Sequence, residues 1–509
     1  MRIEKLKCSR FFYAGLMLFT LMLAGCPLPD TGVQVQEQND ARAALNGSVK
    51  QVACGANFSM VIKSDGTLWA VGRNNYGQLG TGDTSDRAVL VQVPGMSGVK
   101  AVACGAAFSL VLQNDGTLYA SGNNSFGQLG IGDTRSRYNY IQVSSGISAI
   151  AAGNSHSLAL HTSGTLYAAG SNGYGQLGTG SDTDRSSFVK VLSGVAAISG
   201  GAQHSLVIKN DGTLWASGEN YSGELGTGDT IRRYVFVPVS SGVKAVAAGS
   251  SFSLAIKNDG VLYGTGWNGY GQLGTGDNTG RRGFVPVSGD VKAIAVGYYH
   301  SFVIKNNGTL WVAGYNLWGE LGLGDKNDRC SFVQAASGVK AMAGGLAHSM
   351  IVKSDGTLWV TGDNWAGQLG TGDSRDELYR FEKKIALRSY KNNLYVCADL
   401  DYGPEAPLYS NRSALGPWET FGLADLGDNR VALRSYATGL YVCAESAGSS
   451  RAVANRSAIG AWETFRLYTS SSGIVAFKFE LNGNYLRFNS FIPEQTLPGP
   501  GVYFYLLNQ

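Results

Sequence analysis

Between Val49 and Asp373 the apolar and polar positions of the chain alternate in short runs that end, again and again, at glycine. Copies of one pattern begin at Val49, Val99, Ile147, Val195, Val243, Val291 and Val339, spaced by 50 residues and then by 48 five times. Each copy predicts four strands: a VKAVA-like run, an HSLVIK-like or FSLAIK-like run, a TLWASG-like run and an FVPV-like run. Turn chemistry separates them. Asn210-Asp211-Gly212 and its equivalents sit between the second and third strands, where Asp-Gly accepts the positive φ of a tight hairpin. Four strands every 48 residues, seven times over, predict a seven-bladed β-propeller. One difficulty is ring closure. Weak outer-strand slots occur both near Ala41 to Leu45 and at Leu378 to Lys383, so eight slots serve seven blades.

From about Ile385 the period changes to 46 residues. Ile385-Ala386-Leu387-Arg388-Ser389-Tyr390 recurs as Val431-Ala432-Leu433-Arg434-Ser435-Tyr436, and Trp418-Glu419-Thr420-Phe421 recurs as Trp462-Glu463-Thr464-Phe465. A weaker third copy carries Val475-Ala476-Phe477-Lys478. Three copies of a four-strand unit predict a β-trefoil over 384–509. Trp418 and Trp462, as repeated positions, read as core residues. The fold class is therefore all-β, with a propeller over 41–383 followed by the trefoil.

The first 25 residues stand apart. Arg2, Lys5, Lys7 and Arg10 precede an apolar run from Phe11 to Leu23, then Leu23-Ala24-Gly25-Cys26. This segment is short for a membrane span and reads as a targeting signal. Residues 26–40 follow as a polar tether. Removal of residues 1–25 takes the chain from 41 basic and 37 acidic residues to 37 and 36, a net charge of about +1. A near-neutral chain lacks the basic footprint of a nucleic-acid binder. Cys8 leaves with the signal. Cys54, Cys104, Cys330, Cys397 and Cys443 show neither disulfide nor zinc spacing, and Cys54 and Cys104 share a repeat position with Ala, Gly and Val, so they read as small buried residues.

Several residues invite chemistry, and most are explained by the repeat. His156, His204, His300 and His348 share a position with Phe58, Phe108 and Phe252. They lie on separate blades, too far apart to converge on one ion, so they read as structural and no metal is expected. Arg87, Arg137, Arg185, Arg233, Arg281 and Arg329 recur beside Asp83, Asp133, Asp229 and Asp277, a pattern expected of a contact that stabilises blades. No phosphate-binding loop, nucleophile elbow or His-Glu-x-x-His occurs. No catalytic residue or cofactor is assigned, and the chain reads as no enzyme. The informative positions are those where copies disagree. Tyr76, Phe126, Tyr174, Tyr270 and Trp318, just before Gly-[Gln/Glu]-Leu-Gly, are expected to pack between blades. Trp267, Tyr315, Trp365 and Tyr221 are the binding candidates, because other copies hold Arg, Ser, Glu, Asp, Asn or Gly there.

Four resemblances bear on function. The signature Gly-x-x-His-Ser, Asp-Gly-Thr-Leu-Trp, Gly-x-Asn-x-x-Gly-Gln-Leu-Gly-x-Gly-Asp resembles the regulator of chromosome condensation family over about 325 residues, which implies a seven-bladed propeller. Leu23-Ala24-Gly25-Cys26 resembles the lipobox of bacterial lipoproteins, which implies diacylglycerol on Cys26 and anchoring in the cell envelope on the periplasmic or extracellular side; an ordinary cleaved signal peptide is the alternative, and a monomer is expected. The C-terminal repeats resemble the fascin-like trefoils, which implies actin or sugar binding. A secreted bacterial inhibitor of β-lactamase looks similar in repeat and blade number and implies that the loop face can grip a protein. The expected function is thus a lipid-anchored interaction protein whose loop face binds a protein or peptide. A carbohydrate-binding surface protein, with a glycan on the trefoil, is the alternative. Guanine-nucleotide exchange, implied by the family name, conflicts with the signal segment.

Overall fold

A computed structural model describes residues 48–372 and 374 in full, together with the backbone of ten strands between Lys383 and Asn508. The signal segment, Cys26 and the tether lie outside the described residues.

The seven copies are seven blades. In the fifth, Val243–Ala248, Phe252–Lys257, Leu262–Gly266 and Arg281–Ser288 form one antiparallel sheet in chain order, with the first strand innermost. The second strand of each blade is sandwiched between neighbours, and so Phe58–Lys63 is buried at every position. Each third strand ends at a glycine that only glycine can occupy. At Gly266, φ is +101°, and a Cβ would stand 2.5 Å from the Ser251 carbonyl oxygen and 2.6 Å from Phe252 Cα.

A single blade cannot bury its own apolar faces. The cores form between blades instead: Leu254, Ile256, Leu262 and Leu273 of blade five pack on Val291 and Val303 of blade six. The ring closes in the same way, with Val49, Val61 and Val71 of blade one packed on Met350, Val352 and Val360 of blade seven. Two belts of backbone hydrogen bonds run round the axis. In one, Ala56 N–H donates to Ala106 O, Ala106 to Asn154, Asn154 to Ala202, Ala202 to Gly249, Ser250 to Tyr298, Tyr298 to Gly345 and Leu346 back to Ala56, at 3.0–3.4 Å. In the other, the first N–H of each inner strand donates to the turn glycine of the blade before, and Val49 N–H to Gly356 O at 3.0 Å closes it.

Blade one draws its outer strand, Arg87–Gln92, from its own copy. Blade seven has three strands among the described residues, and Thr371 bridges to Val89 of blade one. Of the two terminal slots, 41–45 lies outside the described residues, as does 378–383 except for Lys383, the first residue of the strand Lys383–Ser389. Beyond the propeller, Lys383–Ser389, Tyr395–Ala398, Ala406–Arg412 and Thr420–Gly427 fall on the first 46-residue repeat, and Arg430–Ser435, Tyr441–Ala444, Ala452–Arg456 and Phe465–Thr469 on the second. The trefoil closure, Trp418 and Trp462 lie outside the described residues.

Candidate interaction face

The two ends of the propeller differ. One end carries the Asp-Gly turns and the connections between blades. The other carries the short loops between first and second strands, next to the axis, and the long Gly-x-Asn-x-x-Gly loops outside them.

The long loops are rigid. In each, the asparagine is fully buried and organises the turn around itself. Asn220 Nδ2 donates to Thr227 Oγ1, Asp229 O, Asp229 Oδ1 and Ile231 O at 3.0–3.1 Å, while its Oδ1 accepts from Leu225 N–H at 3.0 Å. The Gln or Glu beyond it accepts from a backbone N–H two residues earlier, as Gln78 does from Tyr76 at 2.9 Å. The recurrent Arg–Asp pairs seal the outer side, with Arg233–Asp229 and Arg329–Asp325 both at 2.6 Å. In blade three, where Ser181 replaces the acid, Arg185 reaches its hydroxyl at 3.4 Å. These are contacts within blades, as the repeat implied.

The histidines staple blades together. Each Ser after the His/Phe position donates to the Gln or Glu carbonyl of the preceding blade, from Ser59 to Gln368 O at 3.0 Å round to Ser349 to Glu320 O at 2.6 Å. His156, His204, His300 and His348 contact Ser205, Ser253, Ser349 and Ser59 at 2.9–3.0 Å. Because each hydroxyl has spent its one proton on a carbonyl, the ring Nε2 must donate. Each Nδ1 is left buried without a partner. Burial holds the imidazoles neutral by pulling their pKa down, to about 4 for His156 and about 3 for the others. Among the described residues no group of His, Cys, Asp and Glu has the arrangement to hold a metal ion.

On this rigid base the loops present their variable residues. Trp267 and Tyr315 precede the buried asparagine, and their N–H groups donate to Ser251 O at 2.8 Å and Tyr299 O at 3.0 Å, which sets them over the axial loops. They belong to one aromatic shelf across blades five and six. Ring centroids are 4.9 Å apart for Trp267–Tyr270, 4.5 Å for Tyr270–Tyr315 and 5.6 Å for Trp267–Tyr299. Gly269 makes room for it, since a Cβ there would come within 2.5 Å of the Trp267 ring. Tyr298 continues the shelf to the axis, 6.3 Å from Tyr299, and its hydroxyl donates to Asn154 Oδ1 of blade three. That hydrogen bond bars an axial cavity of about 130 Å³ whose wall includes Cys54 and Cys104. Both thiols are free, and burial pushes Cys54 up to about 12, far from a reactive thiolate.

Trp365 and Tyr221 stand elsewhere. Trp365 is half exposed and packs on Arg73 of blade one, whose guanidinium carbon is 5.2 Å from the ring centroid. Tyr221 is 84% exposed and makes no ring contact among the described residues. The structure therefore brings two of the four candidates together. It also corrects the packing expected for Tyr76, Phe126 and Trp318, which are 41%, 45% and 38% exposed on this face, because the loop turns outward at the residue before its second glycine. Tyr174 and Tyr270 are half-buried as expected. Sequence reading passed over Tyr298 and Tyr299. The same criterion would have found them: other copies hold small or polar pairs there, such as Ala106-Ala107 and Ser250-Ser251.

A family model described as the RCC1-like domain matches residues 30–288, and the regulator of chromosome condensation (RCC1) repeat matches 291–317. The chain belongs to the RCC1-like family. Human and mouse E3 ubiquitin-protein ligase HERC2 are each 41% identical over 51 residues, which is 10% of this chain and 1% of theirs. Human WBSCR16 superimposes with a TM-score of 0.55 at 24% identity, covering 61% of this chain and 88% of that one. Yeast RCC1 (Prp20), solved bound to Kap60, gives 0.56 at 17%, covering 70% and 90%. Prp20p of Saccharomyces cerevisiae gives 0.53 at 20%, covering 61% and 81%. At these identities the RCC1-like likeness is one of fold, and the aromatic shelf is a property of this chain's own loops.

Proposed function

We propose that this RCC1-like protein is a lipid-anchored interaction protein of the bacterial cell envelope, held through Cys26, whose loop face binds a protein or peptide. The observation that carries the reading is the aromatic shelf of Trp267, Tyr270, Tyr299 and Tyr315, on the same face as the exposed Tyr221 and Trp365. Aromatic rings held rigid beside solvent give large contact area at small entropic cost, which is the make-up of binding hot spots. The yeast relative is recorded with Kap60, Gsp1p and histones as partners, which supports protein binding as a use of such propellers. This reading assigns the protein a binding role, and it is supported by the commitment of four of its five histidines, His156, His204, His300 and His348, to joints between blades.

The test is a photo-crosslinking residue at Tyr221, on the same face as the shelf, in the native cell. The crosslinked partner should be lost when Trp267→Ala and Tyr315→Ala are combined, since each hot-spot truncation costs about 2 kcal/mol or more. Undiminished recovery from that double variant, with its thermal transition retained, would sink the assignment.

A further inference from the structure

The opposite end of the propeller carries a second feature. The second residue of each inner strand lies at a β-bulge, outside the ladder, as register shifts between Val49 and Gln51, Val99 and Ala101, and Val243 and Ala245 show. This position is lysine in five blades: Lys50, Lys100, Lys244, Lys292 and Lys340, all exposed. The five are contiguous round the ring, in blades five, six, seven, one and two; Ser148 and Ala196 fill the gap. Lys100 Nζ donates to Ser148 O at 3.1 Å, so neighbouring rim positions lie within one side chain's reach.

These lysines differ from the others on the same end. Lys209, Lys257 and Lys305, at the ends of second strands, lie over Trp215, Tyr263 and Trp311 at 4.5–5.0 Å. The rim lysines have no ion pair or ring partner among the described residues. With Lys63 and Lys353 this end holds, among the described residues, ten lysines against six aspartates at 65, 115, 211, 259, 290 and 355, a local charge of +4. On the loop face, by contrast, the Arg–Asp pairs neutralise each other.

We propose that this end docks on an anionic phospholipid surface through the rim lysines. Because all five occupy one position of a rotational repeat, their backbone positions share one level of the ring, which matches a membrane better than an extended acidic peptide. The innermost strand of blade one begins at this end, where Ser48 O accepts from Ser64 N–H at 2.9 Å. The inference rests in part on the envelope reading, and it orients the molecule: basic end down, aromatic shelf away from the membrane.

The test uses the mature chain from residue 26 with Cys26→Ser, so that no lipid contributes. It should co-sediment with phosphatidylglycerol-containing vesicles and not with phosphatidylcholine vesicles. At about fivefold per lysine, Lys244→Gln, Lys292→Gln and Lys340→Gln together should lower the partition coefficient on the order of a hundredfold, while the three arginine replacements retain it. Equal binding to both vesicle types, binding to neither, or an unaffected glutamine variant overturns the proposal. So does lysine-dependent binding of tripolyphosphate without vesicle binding, which would assign the rim to a soluble anion. Lipid labelling at Cys26 tests the anchor separately, and its failure would leave a positive vesicle result standing.

Discussion

Two sets of buried titratable side chains give the propeller opposite responses to pH. The four stapling histidines bind protons more weakly when folded than at their ordinary value of 6.5, because burial disfavours the imidazolium; they fall to about 4 for His156 and about 3 for His204, His300 and His348. Between about 6.5 and those values the unfolded chain holds more protons, so stability falls as the pH drops through that window and is intact above it. Glu224 and Glu320 do the reverse. They stand where other blades have Gln, and burial raises them from 4.5 to about 7 and about 8. From about 4.5 upward the unfolded chain has lost protons that the folded one keeps, so their contribution weakens until the pH passes those values. Replacing all four histidines by Phe, the residue native at positions 58, 108 and 252, should flatten the acid limb of a denaturation profile taken against pH. Glu224→Gln with Glu320→Gln should flatten the decline that runs from about 4.5 to about 8. A profile unchanged by either set would show that these groups do not control it.

At the scale of the element, the loop after the third strand is a polar turn built on one asparagine. Asn220→Ala would strand Leu225 N–H and the carbonyls of Asp229 and Ile231 in a buried site, at a cost of about 2–4 kcal/mol. The exposed Tyr221→Ala beside it should cost under about 0.5 kcal/mol. Thermal or urea unfolding of the two variants checks both halves of this contrast. The same loop shows what could be read in advance. The blades were legible because strand alternation, Asp-Gly turns and an invariant Asn recur at a fixed period, and each has a local physical cause. The shelf was half legible. Trp267 and Tyr315 stood out as departures from the repeat, but their meeting with Tyr299 depends on how the inner loop of blade six lies against blade five, which no local rule supplies. The outward turn of Tyr76, Phe126 and Trp318 was missed for the same reason: a residue next to a constant motif need not share its burial.

At the scale of the whole ring, the described residues form seven joints of one kind and six covalent links between blades. At the joint of blades four and five, Arg233–Ser240 and Val243–Ala248 are separated by two residues, so local opening there leaves the partners held close. The joint of blades seven and one repeats the same contacts: Leu346 N–H to Ala56 O at 3.2 Å, Val49 N–H to Gly356 O at 3.0 Å and Ser59 to Gln368 O at 3.0 Å. It has the same kind of apolar core but, among the described residues, no adjacent peptide link. Held by these contacts alone, it opens without the high effective concentration that a short connection imposes. Opening should therefore begin at this joint, in the manner of a repeat array whose stability is set by nearest-neighbour interfaces. In native-state hydrogen exchange, the amides of Val49 and Leu346 should exchange on the order of tenfold faster than their equivalents at Val243 and Asn154. If Val49 and Leu346 were as protected as those equivalents, the ring would be opening as one cooperative unit, and the joint between first and last blades would be held as firmly as the others.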